Sequence, residues 1–166
     1  MPPRRHKEDF DSHDTAQICL NGHWISGSYH DAPEFREPFC KHCGSRTIIQ
    51  CEHCHTEIRG FYRDAIPSLE RTVPAFCHGC GKPHPWVAAK IHAAKAMVSE
   101  LQGLTDADRL IIQTSIDDIA ANTPMTEVAV VRVKKLIPKV LSSGGEALRK
   151  LIVDVASETA AKALKG

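Results

Sequence analysis

The feature that most constrains this chain is a set of four short hooks of cysteine and histidine in its first half. All seven cysteines fall in these hooks, which have the spacing Cys-x3-His once and Cys-x2-Cys three times. Two donors this close in sequence form a tight turn that presents both to one metal ion, and two such turns complete a tetrahedral zinc site. We therefore predict two structural zinc ions. Their eight predicted ligands are Cys19, His23, Cys40, Cys43, Cys51, Cys54, Cys77 and Cys80.

The hooks are predicted to group in sequence order, the first with the second and the third with the fourth. This grouping closes hairpins of 16 and 22 residues. A nested grouping would join the second and third hooks across seven residues, and an interleaved, RING-like grouping would join the first and third. The ligase-type RING pattern requires a spacer between its central histidine and the next cysteine. It is not met here, because His53 directly precedes Cys54.

His23 is the one predicted ligand for which the sequence allows a specific alternative interpretation. As an ordinary turn histidine it would leave one position on the first metal open, as catalytic zinc sites do. The Cys-x3-His spacing and the count of four donors favour a closed site. The other histidines of the hooks are interpreted as solvent-facing residues or as hydrogen-bond donors to sulfur. They are His42, His53, His55 and His78.

Composition indicates an ordinary globular protein. Hydrophobic residues make up 42% of the chain and charged residues 25%. No apolar run approaches the length of a membrane span, and residues 1–9 have no apolar segment after their charges, so neither a span nor a secretory signal is predicted. We expect a cytoplasmic protein, in which thiols are available to metal rather than to disulfides.

The charge balance favours a protein partner over nucleic acid. Residues 1–90 carry eleven basic and eleven acidic side chains. Zinc binding deprotonates cysteine, so seven thiolates and two zinc ions leave this half at about −3. Nucleic-acid-binding proteins present a concentrated basic face instead.

Turn signals and hydrophobic periodicity divide the chain into three parts. Residues 1–14 are polar and charged and are interpreted as a disordered lead. Residues 15–86 are predicted to form tandem zinc ribbons of short antiparallel β-hairpins and zinc knuckles, with strand-forming segments at 47–50 and 58–62. Residues 87–166 are predicted to be all α-helical, because their apolar residues recur at helical spacing. The predicted fold class is α+β.

Three or four helices are predicted in the C-terminal region. The first is interrupted at Gly103, and Thr105 is a helix N-cap signal for the second. A third begins at Thr123-Pro124 and is expected to kink or end early at Pro138. Residues 146–164 are predicted to form one last helix.

The last helix is expected to pack against a second chain or a partner protein. Residues 87–166 contain no phenylalanine, tyrosine or tryptophan, so a single copy buries modest area. The apolar stripe of the last helix is wider than one short neighbour needs. It consists of Leu148, Leu151, Ile152 and Val155.

A basic line on the third helix is interpreted as a solvated face, with a membrane surface or phosphate contact as the alternative. It consists of Arg132, Lys135 and Lys139.

Four motifs carry a resemblance to a known family. They are Cys19-Leu20-Asn21-Gly22-His23, Phe39-Cys40-Lys41-His42-Cys43-Gly44, Cys51-Glu52-His53-Cys54 with Ile58-Arg59-Gly60, and Phe76-Cys77-His78-Gly79-Cys80-Gly81-Lys82-Pro83-His84-Pro85-Trp86. In order and spacing they resemble an uncharacterised bacterial family of double zinc-ribbon proteins, over residues 17–86. The segment 123–158 is similar to the helical tails of such proteins. The resemblance implies a bacterial cytosolic protein with structural ribbons and with His23 as a ligand, and it implies no activity.

We expect a non-enzymatic interaction module, an adaptor or scaffold, because the donor set is closed and the sequence has no Ser/His/Asp order and no phosphate loop. The alternative is nucleic-acid binding, since Arg59, Arg63 and Arg71 flank the second ribbon with Phe61 and Tyr62. Two further hypotheses are iron-based redox chemistry in the all-cysteine site and zinc-dependent hydrolysis at an open first site.

Overall fold

The computed structural model describes residues 13–62 and 73–165. The chain divides into two compact units, Met1–Trp86 and Val87–Gly166. Short antiparallel strands and hook turns make up the described part of the first unit, and helices make up the second. The predicted α+β fold class is therefore confirmed. Arg63 and Arg71 of the nucleic-acid hypothesis, and residues 1–12 of the predicted lead, lie outside the described residues.

The described part of the first unit contains five short strands. They are β1 (His13–Thr15), β2 (Gln17–Cys19), β3 (Trp24–Ser26), β4 (Thr47–Ile48) and β5 (Arg59–Tyr62). β2 lies in the middle of a three-stranded antiparallel sheet, with Ile18 opposite Trp24 on β3 and opposite Ile48 on β4. β1 pairs antiparallel with β5, and His13 lies opposite Tyr62. A single 3₁₀ turn, Pro33–Phe35, lies between β3 and β4.

Two residues assigned by the sequence to a disordered lead are part of this fold. His13 and Asp14 form most of β1. Asp14 is 2% exposed, and its carboxylate accepts the backbone N–H groups of His30 (3.2 Å) and Asp31 (3.0 Å). The partner strand of β1 lies more than forty residues away along the chain, so the local polarity of this segment gave no sign of the pairing.

The described residues of the first unit form a small apolar core. Besides cysteines, its buried apolar side chains in the described ranges are Ala16, Ile18, Ile48, Ile58 and Trp86. The indole N–H of Trp86 donates to the Pro74 carbonyl at 2.9 Å. Its ring lies against Gly22, where a Cβ atom would come within 3.1 Å of it and where φ is +84°. A core of this size is marginal without a metal or cross-link.

The second unit is built from five α-helices in the described residues. They are α1 (Pro85–Glu100, which begins two residues before the unit boundary), α2 (Asp106–Ala121), α3 (Thr126–Leu136), α4 (Gly145–Val153) and α5 (Glu158–Lys165), with a 3₁₀ helix, Ile137–Ser143, between α3 and α4. α2 and α3 run antiparallel. Near the start of α2, the Asp108 carboxylate forms an ion pair with the Lys139 ammonium at 3.0 Å. Near the end of α2, the Thr126 hydroxyl donates a hydrogen bond to the Asp118 carbonyl at 3.0 Å.

Two helix boundaries agree with local sequence signals. Thr105 caps α2 in a capping box, in which its hydroxyl accepts the Asp108 N–H at 3.1 Å and the Asp108 carboxylate accepts the Thr105 N–H at 3.2 Å. The third helix ends at Leu136 and continues only as the 3₁₀ segment that contains Pro138. Proline lacks the N–H that an α-helix requires at that point.

The segment predicted to form the last helix contains two helices in the structure. The described part of the C-terminal region therefore has five α-helices, whereas three or four were predicted. α4 ends at Val153, and α5 begins after Ser157. The Ser157 hydroxyl accepts the Ala160 N–H at 3.4 Å, as an N-cap residue does. Ser157 therefore marks a second helix start within residues 146–164, which hydrophobic periodicity alone predicted to form one continuous helix.

The apolar stripe of the last predicted helix packs into the chain's own core. Leu148 and Ile152 have no exposed surface, and they join Ile112, Ile116 and Val133 in one buried cluster. Leu151 and Val155 are half-buried. The width of this stripe therefore has an intramolecular explanation.

Every helix in the described ranges is too short or too polar to cross a lipid bilayer.

Candidate metal centres

The eight hook residues meet in two clusters. The first holds Cys19, His23, Cys40 and Cys43, and the second holds Cys51, Cys54, Cys77 and Cys80. In each cluster, one donor atom per residue lies within 4.8 Å of all the others. All seven cysteines are free. The grouping follows sequence order, and neither the nested nor the interleaved arrangement is formed.

The three Cys-x2-Cys hooks share one backbone geometry. The N–H of the residue after the second cysteine donates to the carbonyl of the first, at 2.7 Å for Gly44, 2.9 Å for His55 and 2.8 Å for Gly81. These residues have left-handed φ values of 71°, 60° and 70°. The N–H of each first cysteine donates to the carbonyl five residues further along, at 2.8–2.9 Å. The hooks are thus three copies of the same knuckle.

The Cys-x3-His hook is closed by a different turn. The Gly22 N–H donates to the Cys19 carbonyl at 2.8 Å, and the Cys19 N–H donates to the His23 carbonyl at 3.0 Å. The His23 N–H also points at the Cys19 sulfur, at 3.2 Å. This turn brings the imidazole over the sulfurs, so that Nδ1 rather than Nε2 lies in the cluster.

The donor separations match a tetrahedral zinc site. A tetrahedron with zinc–sulfur bonds of about 2.3 Å and zinc–nitrogen bonds of about 2.0 Å has sulfur–sulfur edges of about 3.8 Å and sulfur–nitrogen edges of about 3.5 Å. In the first cluster, His23 Nδ1 lies 3.4 Å from Cys19 Sγ, 3.6 Å from Cys40 Sγ and 3.3 Å from Cys43 Sγ. The sulfurs of Cys19 and Cys43 are 3.8 Å apart.

The second cluster has the same dimensions. Its sulfurs are 3.8 Å apart between Cys51 and Cys80, and 3.6 Å apart between Cys54 and Cys77. One set of three thiols with an imidazole and one set of four thiols are both donor sets that structural zinc uses. The residues present therefore fit a double zinc-binding module, in which each cluster can hold one metal ion.

Hydrogen bonds prepare one sulfur in each cluster to bind as thiolate. At Cys43, the backbone N–H and the hydroxyl of Ser45 lower the thiol pKa to about 5, and the Asn21 amide adds a hydrogen bond at 3.4 Å. At Cys54, the hydroxyl and the N–H of Thr56 lower the pKa to about 6. The Thr56 oxygen lies 3.2 Å from the sulfur.

Other thiols of the clusters hold their protons more tightly before metal binds. The Lys82 N–H lowers the pKa of Cys80, but burial and the neighbouring thiols raise it further, to about 11. Burial also raises the pKa of Cys19, against the N–H groups of His23 and Asn21. Cys43 and Cys54 are thus the thiols most ready to bind as thiolates near neutral pH, whereas a bound metal would displace the protons of Cys19 and Cys80.

Each cluster has a buried side and an exposed side. Cys19 and Cys40 are buried in the first cluster, whereas His23 and Cys43 are exposed. Cys51 and Cys77 are likewise buried in the second, and the last cysteine of each hook is exposed. The metal would therefore join the small core to the surface turns of the first unit.

The remaining histidines of the hooks lie outside both clusters. The ring of His42 lies 5.7 Å from that of His23, between centroids, and His42, His53 and His78 are exposed. Sequence reasoning missed Asn21 and Thr56 as neighbours of the sulfurs. A polar residue two positions after the second cysteine, as in Ser45 and Thr56, is the signal that could have indicated such contacts.

The model of one protein family matches residues 12–164 of the chain, and the family is described as "Uncharacterized protein conserved in bacteria (DUF2321)". The match covers both units, including all eight hook residues. The search of curated proteins and the search of solved structures gave no match.

Proposed function

We propose that this chain, which belongs to that family of uncharacterized bacterial proteins, is a non-enzymatic interaction module. Two structural zinc ions hold its ribbon unit together, and its helical unit associates with protein. The observation that supports this most directly is the complete set of four donors in each cluster at tetrahedral spacing.

A complete donor set favours structure over catalysis. Catalytic zinc is held by three protein ligands and keeps a fourth position for water or substrate. Here His23 supplies the fourth donor of the first cluster, within 3.6 Å of all three sulfurs. Among residues 13–62 and 73–165 there is no further group of three metal-ligating side chains. The zinc-hydrolase hypothesis requires an open coordination position on the first metal. His23 occupies that position.

The energetics of the ribbon unit also favour a structural role. Within residues 13–62 and 73–86 its apolar core is small, and its strands are two to four residues long. Structural zinc contributes roughly 10–16 kcal/mol to folding in zinc-finger peptides. A contribution of that size is comparable to the whole stability of a small domain.

The helical unit supplies the association surface of the proposal. Its stripe on α4 is buried, but α2 and α3 expose large apolar side chains. They include Leu110 at 65% and Val131 at 51% exposure. Exposed apolar side chains on two neighbouring helices favour a protein-binding surface.

Nucleic-acid binding is supported less well. Phe61 packs against Trp24 with ring centroids 5.6 Å apart and is half-buried, so its ring is engaged inside the unit. Tyr62 is 45% exposed but lies edge-to-face with His13. Binding through phosphate contacts would fall steeply as salt rises. Tight, salt-sensitive binding that Arg59→Glu abolishes would put this function in place of the proposed one.

Cobalt substitution separates a structural from a catalytic role. The full-length protein is loaded with cobalt(II) in place of zinc, and a small anion such as azide is added while the visible spectrum is recorded. Closed sites leave the spectrum unchanged, because no position is free for the anion. A variant His23→Ala opens the first site and should respond, while His42→Ala should behave as the unmodified protein. An azide response of the unmodified protein would contradict the proposal.

A further inference from the structure

We propose that α2 and α3 form the interface of a two-fold symmetric dimer, in which α2 of each copy packs on α3 of the other. This inference rests on the proposed interaction role of the helical unit and names its partner as a second copy of the chain.

One half of this interface is a mixed apolar and basic face on α3. Val128 and Val131 are 42% and 51% exposed, although valine is usually buried. Arg132 and Lys135 lie on the same face, at helical spacings of three and four residues. Neither cation has a carboxylate within ion-pair distance among the described residues. α3 thus presents two apolar anchors beside two positive charges that no described residue neutralises.

The third member of the basic line has an internal role. Lys139 binds the Asp108 carboxylate at the start of α2, at 3.0 and 3.1 Å. It is therefore part of the α2–α3 packing and not of the free face. In the solvated-face interpretation Arg132 and Lys135 are balanced by water alone, whereas a partner with acidic groups would pair with both.

α2 carries the complementary chemistry. Leu110 and Ile111 are 65% and 40% exposed. The exposed charged residues of this helix are Asp106 and Asp117, both acidic. Its one basic residue, Arg109, is directed to the backbone carbonyls at the end of α1. α2 therefore offers apolar anchors with negative charge, as α3 offers apolar anchors with positive charge.

One of the two acidic groups also has a partner within the chain. The Lys95 ammonium of α1 donates to the Asp117 carboxylate at 2.6 Å. The Asp117 side chain nevertheless stays 55% exposed, so its second oxygen can accept a cation of another copy.

A two-fold axis uses both faces at once. Because α2 and α3 are adjacent and antiparallel, rotation about an axis along the helices places α2 over α3 of the second copy and α3 over its α2. In both contacts a helix whose exposed charged residues are acidic meets a helix that exposes Arg132 and Lys135. A pairing of α3 with α3 would instead bring Arg132 and Lys135 of two copies together, which like-charge repulsion opposes.

The first test is mass by light scattering over a concentration series of the zinc-loaded full-length protein. We expect a dimer. Leu110→Glu places a charge in the apolar contact and should raise the dissociation constant about 30-fold or more. Leu141→Glu is the matched control, because Leu141 is 52% exposed in the 3₁₀ helix outside both faces and its replacement should leave the dimer unchanged.

A charge exchange tests the pairing itself. One variant carries Arg132→Glu with Lys135→Glu, so that both of its faces are acidic, and a second carries Asp106→Lys with Asp117→Lys, so that both are basic. Each should be monomeric alone, and an equimolar mixture should form a dimer of one chain of each kind. Circular dichroism of each variant alone checks that both are folded before they are mixed.

Three results would overturn the dimer. They are an unmodified protein that stays monomeric at every concentration, a mixture that stays monomeric, and a Leu141→Glu effect equal to that of Leu110→Glu. A monomer that retains two zinc ions would refute this interface and leave the proposed structural role of zinc intact, so the two failures are distinguishable.

Discussion

We expect the residue after the second cysteine of each Cys-x2-Cys hook to set a measurable part of the affinity for metal. In two hooks it is glycine, Gly44 and Gly81, and in the third it is His55. All three have left-handed backbone with φ between 60° and 71°. We predict that Gly44→Ala and Gly81→Ala each weaken metal binding and that His55→Gly strengthens it.

The magnitude follows from backbone strain alone. A Cβ built on Gly44 or Gly81 meets no heavy atom within 4 Å, so alanine adds no clash at either position. Left-handed backbone costs a non-glycine residue about 1–2 kcal/mol, and the loss of chain freedom in the unfolded state returns about 0.4–1 kcal/mol. Each alanine should therefore cost about 1 kcal/mol. His55→Gly reverses the same terms, since its ring makes only a 3.5 Å contact with Gln50.

The assay is competition for zinc between the full-length protein and a chromogenic chelator. A change of about 1 kcal/mol corresponds to about fivefold in the dissociation constant. Cobalt(II) spectra assign the change to a cluster, because a set of three thiolates with one imidazole and a set of four thiolates absorb differently. Gly44→Ala should weaken metal binding in the first cluster only. In the second cluster, the opposite effects of Gly81→Ala and His55→Gly on metal affinity should nearly cancel when the two substitutions are combined. Equal weakening by His55→Gly and by Gly81→Ala would refute the reasoning.

Three other predictions concern single side chains. Cys43→Ser should lower the zinc content by about one ion per chain in elemental analysis, because three ligands hold structural zinc poorly, while His42→Ala should leave it unchanged. Leu148→Ala empties a site with no exposed surface and should cost the helical unit about 2–5 kcal/mol in denaturant unfolding, with both zinc ions retained. The Lys139 ammonium and the Thr105 N–H hold the pKa of Asp108 below its usual value. The ionised carboxylate therefore stabilises the fold above about pH 4, and this stabilisation is lost as the pH falls through the pKa of the folded state. Asp108→Asn should therefore lower the thermal midpoint at neutral pH, and the difference from the unmodified protein should shrink in acid.

Local spacing carried most of what the sequence could predict. The hooks group in sequence order because each needs only a turn of three or four residues and a hairpin of 16 or 22. Thr105 and Pro138 marked helix boundaries for the same reason, since a cap hydrogen bond and a missing N–H act within one turn of helix. The fold class followed from such local signals.

Features that depend on distant partners were not predictable in this way. β1 contains His13 and Asp14 only because β5 lies beside it and because Asp14 receives N–H groups from the turn at His30. The burial of Leu148 depends on how α4 meets the rest of the helical core. Periodicity shows that such a stripe must be covered, but it does not show whether the cover is the same chain or another.

The number of zinc ions bound per chain tests the central claim most directly. Native mass spectrometry of the full-length protein, purified with its metal, should show two zinc ions per chain. Treatment with a strong chelator should remove both and collapse the NMR signals of the ribbon unit, because its small core does not fold alone, while the signals of the helical unit persist. One metal ion per chain, or a ribbon spectrum unchanged by chelation, would contradict the account.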